Sequence, residues 1–326
     1  MMELSIVMPM FNEEQVISQN VQKVICAFDP QGISWEIILV NDGSTDGSLK
    51  IAKTEAERFS QLRIISYDAN RGRGYALRKG IEAARGKLII TTESDLTWGV
   101  EALLKIFKGL QESEDDVIVA SPYCSGGRVE NVPLKRALLS RIGNRVLGFT
   151  FSGKVTMVSG MTRGYRREIF EAMELESNGK EIHLEILSKA QALGFRISEV
   201  PAILRWERGK SGRWKGSQRR TRKLIISHLL FSFGELPFLL FGTVGSFFLL
   251  LGASFGIYAY FLSLSGIHMA GRPMILVATL LILFGFQILA FCFLANQNRD
   301  LRNALIRMNR HLVKQDRQRE KEEVFS

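Results

Sequence analysis

The stretch Glu36-Ile37-Ile38-Leu39-Val40-Asn41-Asp42-Gly43-Ser44-Thr45-Asp46-Gly47 decides the fold, because a short apolar run passes directly into turn-forming residues. The run from Ile37 to Val40 is continuous and does not alternate with polar residues, which is typical of a strand buried on both faces. A helical pattern begins at Gly47, immediately after the turn. A buried strand that leads through a loop into a helix is the repeating unit of a parallel α/β sheet.

The same unit recurs along the first 120 residues. Strands are predicted at Leu4–Met8, Glu36–Val40, Leu62–Ser66, Leu88–Thr92 and Asp116–Ala120. Helices are predicted at Glu13–Phe28, Gly47–Phe59, Gly74–Arg85 and Val100–Gln111. Buried strands separated by helices indicate a parallel sheet covered on both faces. In such a sheet the ligand crevice lies at the carboxyl ends of the strands.

Carboxylates follow three of the predicted strands. Glu13 follows the first strand, Asp42 the second, and Glu93 and Asp95 the fourth. We therefore expect them at one edge of the sheet. An aspartate at a strand end can accept hydrogen bonds from a base or a ribose. Glu93 and Asp95 offer the hard oxygen ligands that suit Mg²⁺ or Mn²⁺ on a diphosphate.

Two rival interpretations of the glycine-rich turns fail. The turn from Asp42 to Gly47 resembles a calcium loop, but its twelfth position is Lys53, where a bidentate glutamate is needed. Gly72-Arg73-Gly74 resembles a dinucleotide-binding turn, but Leu77 occupies the third glycine position. Asp46 is expected to cap the helix that follows it.

The C-terminal part of the chain is much more apolar than the rest. No charged residue occurs from Leu236 to Ile267, and a second uncharged run extends from Met274 to Gln297. A helix of about 20 apolar residues crosses a bilayer, so each run predicts one transmembrane helix. Basic residues precede the first run and follow the second, whereas the connecting turn holds only Arg272. The positive-inside rule then places both termini in the cytoplasm.

The charge distribution argues against a nucleic-acid ligand. Nine Lys/Arg against one acidic residue lie in 205–223, and eight against five lie in 299–326, so these segments carry +8 and +3 and leave −1 for the rest of the chain, whose net charge is +10. This excess flanks the apolar region, so lipid headgroups explain it better than DNA. Three cysteines and four histidines are scattered without disulfide or zinc spacing, which is typical of a reducing compartment.

The motifs, in their order and spacing, resemble the inverting GT-A glycosyltransferases of family 2, and more closely the polyprenyl-phosphate sugar transferases related to dolichol-phosphate mannosyltransferase. The resemblance covers nearly the whole chain. The motifs that carry it are Ser5–Pro9 with Asn12-Glu13-Glu14, Val40–Asp46, Asn70–Gly74, Ala84-Arg85-Gly86, Glu93–Leu96, Arg163–Glu168, Gly194–Ile197 with Glu199-Val200-Pro201, and Arg208–Ser211.

The resemblance implies roles for particular residues. Pro9, Glu13 and Asp42 would hold the nucleoside. Asp95, with Glu93, would bind the metal on the donor diphosphate, and Asp95 and Arg163 would be catalytic. Arg163, Arg208 and Lys210 would neutralise the phosphates of the donor and the lipid acceptor. The family usually has Asp where this chain has Glu93, and an acid in the stretch where this chain has Met157.

The resemblance also implies an activity: transfer of a sugar from a nucleoside-diphosphate sugar to a polyprenyl phosphate, with Mg²⁺ or Mn²⁺, at the cytoplasmic face of the cell membrane. The expected organisation is a GT-A domain over 1–204, a basic linker with interfacial amphipathic helices over 205–235, two transmembrane helices within 236–298 and a basic cytoplasmic tail over 299–326. Small residues in the first span leave a homo-oligomer open. Two alternatives also stay open: a processive polysaccharide synthase and a catalytically inactive nucleotide-sugar or lipid-binding regulator.

Overall fold

The computed structural model describes residues 2–148, 155–205, 237–266 and 273–325. These residues form two compact units, one built around a β-sheet and one that contains long apolar helices. The strands are β1 (Leu4–Met10), β2 (Trp35–Asp42), β3 (Leu62–Tyr67), β4 (Leu88–Thr91), β5 (Val117–Ser121), β6 (Arg128–Glu130), β7 (Arg163–Arg166), β8 (Ile197–Pro201) and β9 (Ile203–Arg205). The helices are α1 (Ile17–Phe28), α2 (Ser48–Arg58), α3 (Arg73–Ala83), α4 (Gly99–Glu112), α5 (Leu134–Gly148), α6 (Glu168–Glu171), α7 (Ile182–Ala192), α8 (Pro237–Leu264) and α9 (Pro273–Phe325).

Seven strands form one mostly parallel sheet in the order β3-β2-β1-β4-β7-β5-β8. β7 alone runs antiparallel to its two neighbours, β4 and β5. The pairs β1–β2, β1–β4, β2–β3 and β5–β8 are parallel. A second small sheet pairs β6 with β9. The predicted α/β class with a mostly parallel sheet is therefore confirmed.

The strands at the centre of the sheet are mostly buried, as the continuous apolar runs of β1, β2 and β4 predict. All eight residues of β2 are buried, and helices cover the sheet. In α1, Ile17, Val21, Val24 and Phe28 recur at helical spacing and are fully buried. This single apolar face is what packs the helix into the core.

The five predicted strands lie within two residues of the observed ones. β7 was not predicted, because its sequence, Arg163-Gly164-Tyr165-Arg166, contains no apolar run. The strand is nevertheless central to the sheet, and its residues Arg163 to Tyr165 are buried. Its insertion between β4 and β5 separates the parallel strands into two groups.

A buried carboxylate links three elements at the amino-terminal end of the sheet. Glu36 on β2 accepts hydrogen bonds from Ser5 Oγ (2.7 Å), from the backbone N–H of Arg85 (2.8 Å) and from Arg63 Nη1 (2.5 Å). Burial alone would raise the pKa of Glu36, but these hydrogen bonds outweigh it and lower the pKa. The ionised carboxylate is therefore part of the folded state.

We expect Glu36→Ala to reduce the free energy of unfolding by about 2 kcal/mol, because it leaves buried donors without their acceptor. Since the folded-state pKa is lowered, the contribution is present above the unfolded-state pKa and is lost as the pH falls through the folded-state pKa. Denaturant unfolding of the full chain in detergent, repeated at neutral and acidic pH, measures both effects.

The matched control is Glu82→Gln, which breaks an exposed ion pair with Lys79 on α3. Exposed pairs of this kind contribute well under about 1 kcal/mol. Equal losses for Glu36→Ala and Glu82→Gln would contradict the structural role assigned to Glu36.

Two helices of the second unit are long and apolar enough to cross a membrane, namely Phe241–Leu264 within α8 and Pro273–Asn298 within α9. Most of the large apolar side chains described on these two helices are exposed on the protein surface. Small residues face the neighbouring helix: a Cβ at Gly245 would lie 3.0 Å from the carbonyl oxygen of Gly285, and one at Gly252 would lie 3.0 Å from that of Ala278. These glycines therefore let α8 and α9 approach closely within one chain.

Candidate active site

The structure brings the sequence-predicted residues of the loops after β1, β2 and β4 to one edge of the sheet. β1, β2 and β4 are adjacent and parallel, so their carboxyl ends meet at this edge. The residues placed there are Pro9, Glu13, Asp42, Glu93 and Asp95. Pro9 and Glu13 are half-buried, and Asp42 is buried. Their roles toward a ligand stay predictions.

Asp42, at the end of β2, organises the loop that precedes α3. Its Oδ1 accepts hydrogen bonds from the Tyr67 hydroxyl (2.9 Å) and the backbone N–H of Arg71 (2.8 Å), and its Oδ2 accepts one from the backbone N–H of Gly72 (3.1 Å). Burial and the bond to Asp42 raise the pKa of Tyr67, so its hydroxyl stays a donor. Asp42 therefore holds the loop before α3 in place, in addition to the nucleoside contact that the sequence predicts for it.

Gly43 permits the close approach of two loops at the site. Its φ of 65° lies in the left-handed region, and a Cβ would lie 2.5 Å from the backbone nitrogen of Asn70 and 2.6 Å from the carbonyl carbon of Ala69. Only glycine satisfies both conditions. The turn after β2 and the loop before α3 are therefore packed backbone against backbone.

The loops after β1 and β2 are joined by hydrogen bonds. Asn12, at a φ of 56°, accepts a bond on its Oδ1 from the backbone N–H of Thr45 (2.8 Å). The backbone N–H of Glu13 donates to Ser48 Oγ (2.7 Å). Gly47 occupies the N-cap position of α2, and Asp46, one residue earlier, accepts a bond from the first N–H of the helix, that of Ser48 (3.0 Å). These bonds fix the backbone around Glu13.

Glu93 and Asp95, in the loop after β4, are half-buried. The pKa of Glu93 is raised, mainly by burial and further by the negative charge of Asp95. The positive charge of Arg73 and a hydrogen bond from Thr162 Oγ1 (3.0 Å) lower the pKa but do not cancel the rise. Asp95 Oδ1 accepts hydrogen bonds from the backbone N–H and the hydroxyl of Thr97 (3.2 and 2.5 Å). The two carboxylates are thus close enough to repel each other.

This pair fits a divalent cation that is completed by a substrate. Among the described residues, no group of three or more His, Cys, Asp or Glu side chains is arranged to hold a metal by itself. Mg²⁺ is commonly bound by one or two carboxylates together with water and substrate phosphates, and it takes oxygen ligands. Glu93 and Asp95 supply such oxygens, and Glu93 retains the ligand chemistry of the Asp usual in the resembled family.

Two residues that are not among the predicted site residues also belong to this cluster. Thr162, just before β7, bonds Glu93 and lies 3.0 Å from Thr92, oxygen to oxygen. Arg73, exposed at the start of α3, faces Glu93 electrostatically. Arg71 instead donates to the Tyr75 hydroxyl (2.9 Å) and stacks on that ring. Arg73 is therefore the better placed of the two arginines for a diphosphate.

The expectation that Arg163 directly contacts phosphate needs correction. Arg163 is 0% exposed; its Nη1 donates to the carbonyl oxygen of His183 (2.7 Å) and its Nη2 to that of Val158. Burial lowers the pKa of Arg163. The guanidinium of Arg163 lies on a central strand and donates to backbone carbonyl oxygens, so it has no exposed surface for a phosphate. It ties the loop before β7 to α7 instead.

Two side chains from other elements, the carboxylate of Glu199 and the amide of Asn144, hold the loop from Val155 to Thr162 by accepting its backbone hydrogen bonds. Glu199 on β8 accepts bonds from the backbone N–H groups of Thr156 and Met157 (both 2.8 Å). Asn144 on α5 accepts bonds from those of Val158 (2.8 Å) and Ser159. Met157, where the resembled family usually has an acid, is buried. The carboxylate nearest that backbone is therefore Glu199.

Arg208 and Lys210, the other predicted phosphate-binding residues, lie outside the described residues. The predicted interfacial helices of 205–235 fall there as well, apart from Arg205 at the end of β9. Their roles stay predictions.

The fold and the carboxylate-lined edge define a glycosyltransferase of the GT-A type, and comparison with known proteins agrees. The family model described as Glycosyl transferase family 2 matches residues 5–173. The chain belongs to glycosyl transferase family 2.

Two relatives extend the likeness. The chain is 30% identical over 305 residues to dodecaprenyl-phosphate galacturonate synthase of Rhizobium johnstonii. This alignment covers 90% of this chain and 87% of the relative. It is 27% identical over 203 residues to dolichol-phosphate mannosyltransferase of Pyrococcus furiosus, which covers 61% of this chain. The matched part spans only 56% of the length of that second relative.

Among solved structures, glucosyl-3-phosphoglycerate synthase from Mycobacterium tuberculosis, in complex with Mn²⁺, uridine-diphosphate and glucosyl-3-phosphoglycerate, is similar with a TM-score of 0.52. The sequences are 20% identical, and the match covers 70% of this chain and 79% of the other. This likeness supports the fold. The predicted enzyme class and fold family are thus confirmed.

Proposed function

We propose that the chain transfers one sugar from a nucleoside-diphosphate sugar to a polyprenyl phosphate, with inversion at the anomeric carbon. The observation that carries the proposal is the 30% identity over 90% of the chain to a relative named as a dodecaprenyl-phosphate galacturonate synthase. The two membrane-length helices support it, because a lipid acceptor is reached at a bilayer.

The acceptor makes a strong general base unnecessary. A phosphate monoester is largely ionised near pH 7, since its second pKa is about 6. One of its oxygens forms the new bond to the anomeric carbon, while the bond from that carbon to the donor diphosphate breaks and the diphosphate leaves with the electron pair. Positioning and charge neutralisation then carry the catalysis.

We assign the proposed roles to residues at the carboxyl ends of the strands and to two residues of the linker. Asp42, with Pro9 and Glu13, holds the nucleoside side of the donor. Asp95 and Glu93 would hold Mg²⁺ or Mn²⁺, which supplies positive charge to the diphosphate. Arg73 adds positive charge beside Glu93. Arg208 and Lys210 contact the acceptor phosphate.

The proposed arrangement of the chain keeps the predicted boundaries. The catalytic domain spans 1–204, the linker 205–235, the membrane helices 236–298 and the tail 299–326. The catalytic domain and both termini are cytoplasmic, as the basic residues on both sides of the apolar runs favour.

The test is release of nucleoside diphosphate by the full chain purified in detergent, with a panel of donors, with and without polyprenyl phosphate. We expect one donor to give release that needs both the lipid and Mg²⁺ or Mn²⁺, and that stops with a chelator. Lipid-independent release, or release unaffected by the chelator, would contradict the proposal.

The same measurement separates the alternatives. A processive synthase would release many nucleoside diphosphates per acceptor, whereas transfer of one sugar stops at one equivalent per lipid. A binding regulator would retain nucleotide binding and release nothing with any donor.

A further inference from the structure

The loop that connects α6 to α7, residues 172–181, packs against the start of α3. The carbonyl oxygen of Asn178 accepts hydrogen bonds from the backbone N–H groups of Gly74 (2.9 Å) and Tyr75 (3.3 Å). A Cβ on Gly74 would lie 2.6 Å from the carbonyl carbon of Asn178 and 2.6 Å from the carbonyl oxygen of Gly179, so only glycine fits there. The α6–α7 loop therefore holds the first turn of α3, backbone against backbone.

A side chain of α3 strengthens this contact. Arg78 Nη1 donates to the carbonyl oxygen of Leu175 (2.8 Å), and Arg78 Nη2 donates to the side-chain oxygen of Asn178. Hydrogen bonds from a charged donor are stronger than those between neutral groups. The α6–α7 loop and the beginning of α3 are thus joined at several points.

Glu185 on α7 holds the α6–α7 loop from its other side. This side chain is 5% exposed. Its Oε1 accepts a hydrogen bond from the backbone N–H of Glu176, and its Oε2 accepts one from the backbone N–H of Ser177, both at 2.9 Å. The two carboxylate oxygens therefore fix the two residues that directly precede Asn178.

Lys189, one turn further along α7, supports the Glu185 carboxylate. Its Nζ donates to Glu185 Oε1 (2.7 Å) and to the carbonyl oxygen of Glu174 (2.6 Å). Burial alone would raise the pKa of Glu185, but the hydrogen bonds that it accepts outweigh this effect and lower the pKa. The carboxylate is therefore ionised at neutral pH and accepts bonds with both of its oxygens.

The turn that this loop holds lies at the candidate active site. Arg73 is the first residue of α3 and faces Glu93 electrostatically. On the side of the sheet edge, Asp42 accepts the backbone N–H bond of Gly72 described above. The first turn of α3 is thus held between Asp42 and the α6–α7 loop, and a shift of that loop would move Arg73 relative to Glu93.

We propose that Glu185 is a positioning residue for the donor diphosphate. Through residues 176–178 it fixes the first turn of α3, and with it the guanidinium of Arg73 beside Glu93. Glu185 acts through the loop and does not itself contact the donor. The inference rests on the proposed function, because it is there that Arg73 is assigned to the diphosphate.

The test measures binding of uridine diphosphate and guanosine diphosphate, each with Mn²⁺, to the full chain in detergent by calorimetry. We expect Arg73→Gln to raise the dissociation constant of the tighter nucleotide roughly tenfold, the effect of one charge-assisted hydrogen bond. Glu185→Gln, which turns a donor toward a backbone N–H, should raise it by a similar factor. Because Glu185 acts through Arg73, the double variant should be no more than about twofold weaker than either single variant.

The matched control is Glu36→Gln. Glu36 is 2% exposed and also accepts a backbone N–H bond and a bond from a basic side chain, but it lies at the amino-terminal end of the sheet. Both glutamine variants should unfold at a lower temperature than the wild type. Only Glu185→Gln should change nucleotide binding by more than about twofold, since distant sites act independently.

A second, milder variant applies where Glu185→Gln does not fold. Lys189→Met removes the partly exposed partner of Glu185 and should raise the dissociation constant about threefold, within the range of one such ion pair. In the transfer assay, Glu185→Gln and Lys189→Met should raise the KM for the donor and leave the KM for the lipid unchanged.

Three results would overturn the inference. Equal nucleotide binding by the wild type, Glu185→Gln and Lys189→Met would show that the carboxylate only stabilises the fold. Losses that multiply to roughly 100-fold in the Arg73 and Glu185 double variant would show that the two residues act independently. A wild-type chain that bound neither nucleotide would refute the proposed donor site itself, and this failure is distinguished because it appears before any substitution is made.

Discussion

Asp95→Ala is expected to lower kcat/KM for lipid-dependent transfer roughly 100- to 1,000-fold, the usual effect of removing one well-placed electrostatic group. Asp95 is half-buried at the carboxyl end of the sheet beside Glu93, and its charge raises the pKa of that neighbour. Together they form the pair of oxygen donors suited to a cation on the diphosphate. The rate of nucleoside-diphosphate release at several donor concentrations measures the loss.

The control for this prediction is Thr97→Val. Asp95 also accepts two bonds from Thr97, so alanine could disturb the loop without any effect on chemistry. Thr97→Val removes the hydroxyl bond but keeps the carboxylate, and we expect less than about a tenfold loss from one neutral hydrogen bond. If Thr97→Val lost as much activity as Asp95→Ala, the loop would explain the effect and the ligand role would be wrong.

Arg163→Met is expected to lower the free energy of unfolding by about 2–4 kcal/mol, since two buried carbonyl oxygens lose a charged donor. Arg163→Lys should not restore it, because an ammonium cannot reproduce the planar fork that reaches both His183 and Val158. Denaturant unfolding in detergent measures both variants. The residual activity of Arg163→Met should show an unchanged KM for the donor.

The matched control is Arg196→Met, because Arg196 is exposed and pairs with the exposed Glu114. Its loss should cost less than about 1 kcal/mol. If Arg163→Met left stability unchanged but raised the KM for donor or lipid, Arg163 would contact a phosphate, as its sequence context first suggests, and the buried role would be wrong.

The parallel part of the fold could be predicted because its signal is local. The strands β1 to β5 are short apolar runs, and carboxylates at or shortly after the ends of three of them, at Glu13, Asp42 and Glu93, predict the edge at which a ligand would bind. The two apolar runs of the C-terminal part are equally local. Residues that act at the end of their own strand are therefore visible in the sequence.

Contacts between distant segments could not be predicted. The family resemblance predicts that Arg163 contacts phosphate, and arginine is seldom buried; the insertion of β7 between β4 and β5 is what encloses it. The bonds that Asp42 accepts from Arg71 and Gly72 join residues about 30 positions apart. Glu199 reaches the loop at Met157 from more than 40 positions away. A sequence pattern within one segment does not reveal which distant residue a side chain will contact.

The mass of the lipid product tests the central claim most directly. The purified chain, supplied with polyprenyl phosphate, a divalent cation and the donor selected by the release assay, should convert the lipid into one species heavier by a single glycosyl residue. Asp95→Ala should yield none of this species in the same time. A ladder of species with increasing sugar number, or a sugar recovered only in water-soluble form, would contradict transfer of one sugar to the lipid phosphate.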